Sequence, residues 1–303
     1  MGAATPEPSA TPIEDDLPTL YRVNDRWALS RQSESFRSVR AQLLVLMLAT
    51  VAAMAAEHMG GHAMAAVAAT LYALTIALGL ESARRRAGVH WQAHREAAET
   101  VKSLAWQYMV HGGPFHSGVV APEALFTGLL DRRLRDLLKV GWQDTRPAAD
   151  LDSVQVTAAM RVVRGRAFDA RRDIYLRNRL VEQLIWYRNR AVRAQRACVR
   201  WSVVTSALTG LALAAAVLKA FGMFGGWDLT GLLSAAAAAG VAWQEARSHR
   251  PLMYAHSLVE RDLEILRVTM ETRVTEETWA EAVAEVERVV SPQHTHWLAR
   301  FGR

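Results

Sequence analysis

The chain has 303 residues, 51% of them hydrophobic, and a net charge of +6 carried almost wholly by arginine. Its single cysteine, Cys198, excludes an intramolecular disulfide and any multi-cysteine zinc site, and reads as a small residue on a helix. Basicity alone leaves nucleic acid, an anionic membrane surface and solvated helix faces open as partners.

Residues 1–19 are rich in Pro, Ala and Thr and are acidic, the composition of a disordered tail. They lack the basic and apolar regions of a signal peptide, and the residues after Gly2 do not suit myristoylation. A first helical domain is expected over 20–150. Within it "AQLLVLMLATVAAMAA" and "AMAAVAATLYALTIALGL" give spans at about 41–57 and 63–80, joined by "EHMGGH". Runs of roughly 16 to 18 uncharged residues make helices of about 24 to 27 Å, slightly short of a hydrocarbon core of about 30 Å. Snorkelling ends or local thinning close that gap.

After the second run, nothing at Glu81 breaks the helix, so it is expected to continue into an amphipathic segment. "VHGGPF" (110–115) reads as a loop, Ala124 to Lys139 as an amphipathic helix, and Thr145 to Leu151 as a linker around Pro147. A second domain is expected over 151–303. A long helix from about Asp173 carries Leu176, Leu180, Leu184 and Tyr187 at helical spacing and leads into a third apolar run. Spans are expected at about 201–219 and 227–243. The fourth run is the weakest, being mostly alanine with Asp228 near its start. Pro251 is expected to kink the helix that follows it.

The soluble alternative is a bundle with very apolar core helices. Such helices alternate faces with the helical period, whereas no charge punctuates any full turn of the first three runs. The fold class expected is therefore all-α and integral to the membrane: four transmembrane helices as two hairpins with extended cytoplasmic helices. Arginines flank the runs at Arg37, Arg40, Arg84, Arg196, Arg200 and Arg247, while the short turns hold none. The positive-inside bias then places both termini and residues 81–200 in the cytoplasm of a multi-pass inner-membrane protein. Trp201 marks the interface, where the chain passes from arginine-rich helix to hydrocarbon.

An internal repeat underlies this plan. A shift of about 162 positions lays the first run on the third, His94 on His256 and Val101 on Leu263. Each copy orders its features as basic helix, apolar hairpin, amphipathic helix.

Candidate chemistry is sparse. There is no phosphate-binding glycine loop, nucleophile elbow or metalloprotease helix, so no catalytic residue, cofactor or metal is assigned and the chain is read as a non-enzyme. Glu57, His58 and His62 in "EHMGGH" lack a fourth ligand and read as a solvated turn. His90, His94, His249 and His256 read as helix-surface histidines. Ser202, Thr205, Ser206 and Thr209 fall within an arc of about 100° and are candidates for lining an aqueous path, against the alternative that their hydroxyls bond back to the helix. Gly210 and Ala214 in the third run, with Ser206 a turn earlier, and Ser234 and Ala238 in the fourth are candidates for close helix packing.

"LYRVNDRWALSRQSESFRSVRAQLLVLMLA" (20–49) and "YLRNRLVEQLIWYRNRAVRAQ" (175–195) each lead into an apolar hairpin and resemble tandem SLATT domains, the SMODS and SLOG-associating two-transmembrane effectors. The most specific matching pieces are Gln183, Trp186 and Tyr187, and "KSLAWQYMVHGGPF" (102–115) after the first hairpin. The resemblance implies an effector of a bacterial conflict or anti-phage defence system that oligomerises and forms pores or perturbs the membrane. Its trigger would come from a nucleotide-signalling or sensor partner protein, with the lipid bilayer as its target and no direct contact with nucleic acid. A regulated ion channel without a killing role and a membrane scaffold recruiting a soluble partner are the alternatives.

Overall fold

A computed structural model describes residues 16–59, 61–85, 87–139, 141–146, 155–223, 227–247 and 249–291. The expected linker around Pro147 and nearly all of the N-terminal tail lie outside the described residues. Those described are helical, with no strand among them. The helices are α1 (Thr19–Met59), α2 (His62–Arg85), α3 (Ala87–Met109), α4 (Pro122–Lys139), α5 (Ala158–Arg164), α6 (Phe168–Tyr175), α7 (Glu182–Ala220), α8 (Leu229–Arg247), α9 (His249–Thr272) and α10 (Trp279–Val290).

Two compact units divide the chain, and each draws on both sequence halves. The core unit comprises Met1–Ser30, Val89–Ala191 and Pro251–Arg303, and the span unit comprises Arg31–Gly88 and Val192–Arg250. Order along the chain recurs: a long helix, a helix of the span unit, an amphipathic helix of 23 or 24 residues, then a shorter helix.

Among the described residues, three helices are long and apolar enough to cross a membrane: Thr19–His58, His62–Arg84 and the 53-residue stretch Phe168–Ala220. At most 11% of the residues in each apolar window are buried inside the chain, so these runs turn their hydrophobic surface outward. At about 1.5 Å per residue the 53-residue stretch measures about 80 Å, more than twice a hydrocarbon core of about 30 Å. Much of it must therefore lie in water. Helix α8 is not among the three, because in 19 residues it also takes in Gln244, Glu245 and Arg247.

The long helix changes register before it reaches the apolar run. Leu176–Val181 forms a π-helical turn between α6 and α7, and the extra residue of such a turn rotates the inward face. Tyr175 is consequently buried in place of the expected Leu176, while Leu180, Leu184 and Tyr187 keep their inward positions. The expected kink at Pro251 adjoins Ser248, which lies outside the described residues.

In the core unit α3 supplies Val101, Ala105 and Met109, α9 supplies Val259 and Leu263, and α10 supplies Val283 and Val286, all fully buried. Val101 and Leu263 are both inaccessible, and the aligned His94 and His256 are both buried, each beside residues of the preceding long helix.

Candidate functional site

In the span unit, hydroxyls are used locally. Thr205 Oγ1 donates to the Trp201 carbonyl at 2.9 Å and Thr209 Oγ1 to the Thr205 carbonyl at 2.8 Å. Thr50, Thr70 and Thr75 do the same on the first two spans, so each side chain spares the lipid an unsatisfied donor. Of the four candidate path-lining residues, Thr205 faces α8, Ser202 is half-buried, and Ser206 and Thr209 are exposed.

Helices α7 and α8 meet at a glycine. A Cβ on Gly240 would stand 2.8 Å from Thr205 Cγ2 and near the Trp201 ring, so this close approach needs glycine. The buried small residues of the pair are Ala212, Ala215, Ala237 and Gly240. Gly210, Ala214, Ser234 and Ala238 are exposed, and nothing lies within 4 Å of a Cβ built on Gly210. Lys219 Nζ, at the end of α7, lies 3.2 Å from Asp228 Oδ1, which precedes α8. In "EHMGGH", His58 packs its ring against Trp227 with centroids 4.1 Å apart. No group of three or more metal-ligating side chains occurs among the described residues.

The core unit holds a buried ion cluster at the π-helical turn. Arg179, 1% exposed, donates Nε to Glu287 Oε1 at 3.0 Å, and Nη2 to Glu287 Oε2 at 2.7 Å and Glu99 Oε1 at 2.8 Å. Tyr175 Oη donates to the same Glu287 oxygen at 2.9 Å. Burial alone would raise the Glu99 carboxyl, but Arg179, then Arg95 and Lys102, hold it below its ordinary value. Burial and Glu287 raise the Tyr175 phenol well above its ordinary value, so it stays a neutral donor. The cluster ties the long helix to α3 and α10 within one unit. A cavity of about 430 Å³ opens beside it, with Glu99 and Glu287 in its wall.

The residues Gln183, Trp186 and Tyr187 follow the π-helical turn directly. Tyr187 Oη donates to the Val290 carbonyl at 3.1 Å, which fastens the end of α10. Trp186 lies between Arg190 and Arg95, whose guanidinium carbons are 4.9 and 5.8 Å from its ring centre, and its edge meets His256. Gln183 is half-buried. His94 pairs its Nδ1 with Asn24 Oδ1 at 2.8 Å, and Trp142 Nε1 donates to that oxygen at 2.7 Å. The side chains of His90 and His249 lie outside the described residues.

The segment "VHGGPF" is a docking corner for α10. Trp279, fully buried, donates Nε1 to the Val110 carbonyl at 2.6 Å, and a Cβ on Gly112 would collide with Val283. His111 and Gly113 both adopt positive φ, at 59° and 51°. Sequence reading found the loop but not Arg164 and Arg171, which brace it. Arg164 Nη1 donates to the Tyr108 carbonyl at 2.5 Å, and Arg171 Nη1 lies 3.3 Å from His111 Nε2. Burial, then Arg164 and Arg171, lower the His111 pKa to about 4. The unfolded chain therefore binds more protons than the folded one between about pH 4 and 6.5, and His111 adds stability that is lost as pH falls through that window. His111→Asn, which tolerates positive φ, is expected to shrink the difference between melting temperatures measured at pH 7.5 and pH 5.

Long apolar helices that turn their surface outward define a membrane-embedded α-helical protein. Residues 18–172 match the family model of SMODS and SLOG-associating 2TM effector domain 3, and residues 175–297 match that of domain 1. The chain thus belongs to the SLATT family of two-transmembrane effector domains, which it carries in tandem. No curated protein and no solved structure matches it.

Proposed function

We propose that this chain is an inner-membrane effector of a bacterial defence system, which assembles from several copies and forms pores or perturbs the bilayer when a sensor or nucleotide-signalling partner activates it. The observation that carries this reading is the outward exposure of three apolar helices in a chain of a two-transmembrane effector family. Four crossings, with α8 as the fourth, return the core unit's segments to the cytoplasmic side, in keeping with the arginines at the span ends. The chain acts without catalysis in this reading. One protomer has too few short helices to enclose a wide channel, so the path needs neighbours. Ser206 and Thr209 are the outward members of the candidate lining set, and Gly210 offers a neighbouring helix a close approach.

Assembly is supported by a seam on α9. Tyr254, Leu258, Ile265 and Val268 are 59%, 37%, 59% and 48% exposed and share one face at alternating three- and four-residue spacing, opposite buried Val259 and Leu263. Arg261 sits in the middle of this seam with Asp262 and Glu264 on its flanks. An antiparallel second copy would set each Arg261 against the other's acids and cover the apolar face.

Induced expression is expected to arrest growth with collapse of membrane potential, and the purified chain to leak dye from liposomes. An overexpressed, activated chain that leaves potential and growth intact counts against the effector reading. Steady ion-selective conductance without toxicity favours a channel, and capture of one defined partner without leakage favours a scaffold.

A further inference from the structure

One arginine of the span unit is half-buried with no anion beside it among the described residues. Arg247, at the end of α8, places its guanidinium carbon 4.1 Å from the ring centre of Phe36 on α1 and 5.0 Å from that of Trp243. The two rings meet edge to face with centroids 6.4 Å apart, so the three side chains form one stack. Nε is shielded from solvent and has no hydrogen-bond partner. Burial pulls the guanidinium below the ordinary arginine value, and no carboxylate offsets it. A partly desolvated cation without a counter-ion is costly, and a planar guanidinium with its outer amino groups uncovered is the shape that takes phosphate oxygens in pairs.

Depth along the helices indicates which anion is at hand. Arg247 lies one turn, about 6 Å, beyond Trp243, the aromatic residue closing the fourth apolar run. Phe36 lies about 7 Å before Ala41, where the first run begins. The polar layer of a bilayer is about 5 to 7 Å deep on each side of the hydrocarbon, so both positions fall at the level of lipid headgroups.

We propose that Phe36, Trp243 and Arg247 form a phosphate clamp, in which the stacked guanidinium presents its outer amino groups to the phosphodiester of an anionic phospholipid. Exposed Arg37, Arg40 and Arg250 surround it in sequence and add long-range attraction for the same ligand. The clamp joins the first and last helices of the span unit, so a bound headgroup braces α1 against α8. It rests on the membrane reading given above, and sedimentation of the chain with membranes tests that reading separately.

The test uses the purified full chain in neutral detergent, with melting temperature and native mass spectrometry read against added phosphatidylglycerol, diacylglycerol or inorganic phosphate. Phosphatidylglycerol is expected to bind and raise the melting temperature, while diacylglycerol does neither. Arg247→Ala is expected to weaken that binding about ten- to a hundredfold, the worth of charge-assisted hydrogen bonds. Arg247→Lys keeps the charge but loses the planar stack, and is expected to recover only part of the affinity. Arg250→Ala, one turn away and outside the stack, removes only long-range attraction and is expected to weaken binding by at most about fivefold. If inorganic phosphate stabilises the chain through Arg247 and displaces the lipid, the clamp serves a soluble phosphate ester and the lipid assignment is overturned. If Arg247→Ala folds and binds both ligands as the unaltered chain does, the clamp itself is overturned.

Discussion

Replacing Arg179 with methionine is expected to destabilise the core unit by about 3 to 5 kcal/mol, the cost of stripping one partner from a buried ion cluster. Glu99 and Glu287 would be left in a site that Arg179 alone bridges, with Tyr175 donating to only one of their oxygens. Glu287 would then have to protonate or draw water inward from the adjacent cavity, while Glu99 would keep only the more distant Arg95, at 3.8 Å. Denaturant unfolding of the detergent-solubilised chain measures the loss. Adding Glu99→Gln and Glu287→Gln to Arg179→Met is expected to restore much of the stability, because the orphaned charges disappear with their partner. Strong non-additivity among the three changes is the signature of the cluster, and simple additivity would show three independent surface effects instead.

The same cluster sets an acid limit. Glu99 has a folded pKa below its ordinary 4.5, so its contribution is complete above that value and is lost as pH falls through the lower folded value. This lies below the window in which His111 acts, from 6.5 down to about 4. Two stages of acid loss are expected, and Arg179→Met should alter only the lower one.

Legibility in the sequence followed physics of different ranges. The three strongest apolar runs are local and declare themselves without a structure, because lipid demands an uninterrupted run. The alignment of His94 with His256 picked out two buried histidines whose burial no surface reading predicts, His94 beside Asn24 and Trp27 and His256 beside Trp186 and Tyr187. The Arg179 cluster was not visible, since its partners lie 80 and 108 positions away and a charged residue in a helix ordinarily reads as surface. Nor does any sequence rule announce the π-helical turn, which brings Tyr175 and Arg179 inward together. Among the small residues of α7 and α8, four-residue spacing marks a face that permits close approach. It does not decide which face turns inward when alanine occupies nearly all of them.

Replacing Gly240 with leucine separates two accounts of what holds α8 in place. Leucine raises the hydrophobicity of α8, so a helix held by its own partition into lipid would be held more firmly. The structure predicts the reverse. The new side chain would enter space already occupied by Thr205 Cγ2 and the Trp201 ring, and overpacking of this kind costs about 1 to 3 kcal/mol. Lower melting temperature in detergent, together with altered labelling of Met223→Cys by an impermeant maleimide on intact cells, is the expected result, with Cys198 replaced by alanine to leave one thiol. Gly210→Leu is the matched control, because nothing lies within 4 Å of its Cβ position in the single chain. It should leave the melting temperature unchanged. If copies pack through that exposed face, it lowers oligomer yield and leakage while the protomer stays intact, which would separate the helix contact that builds the protomer from the one that builds the assembly.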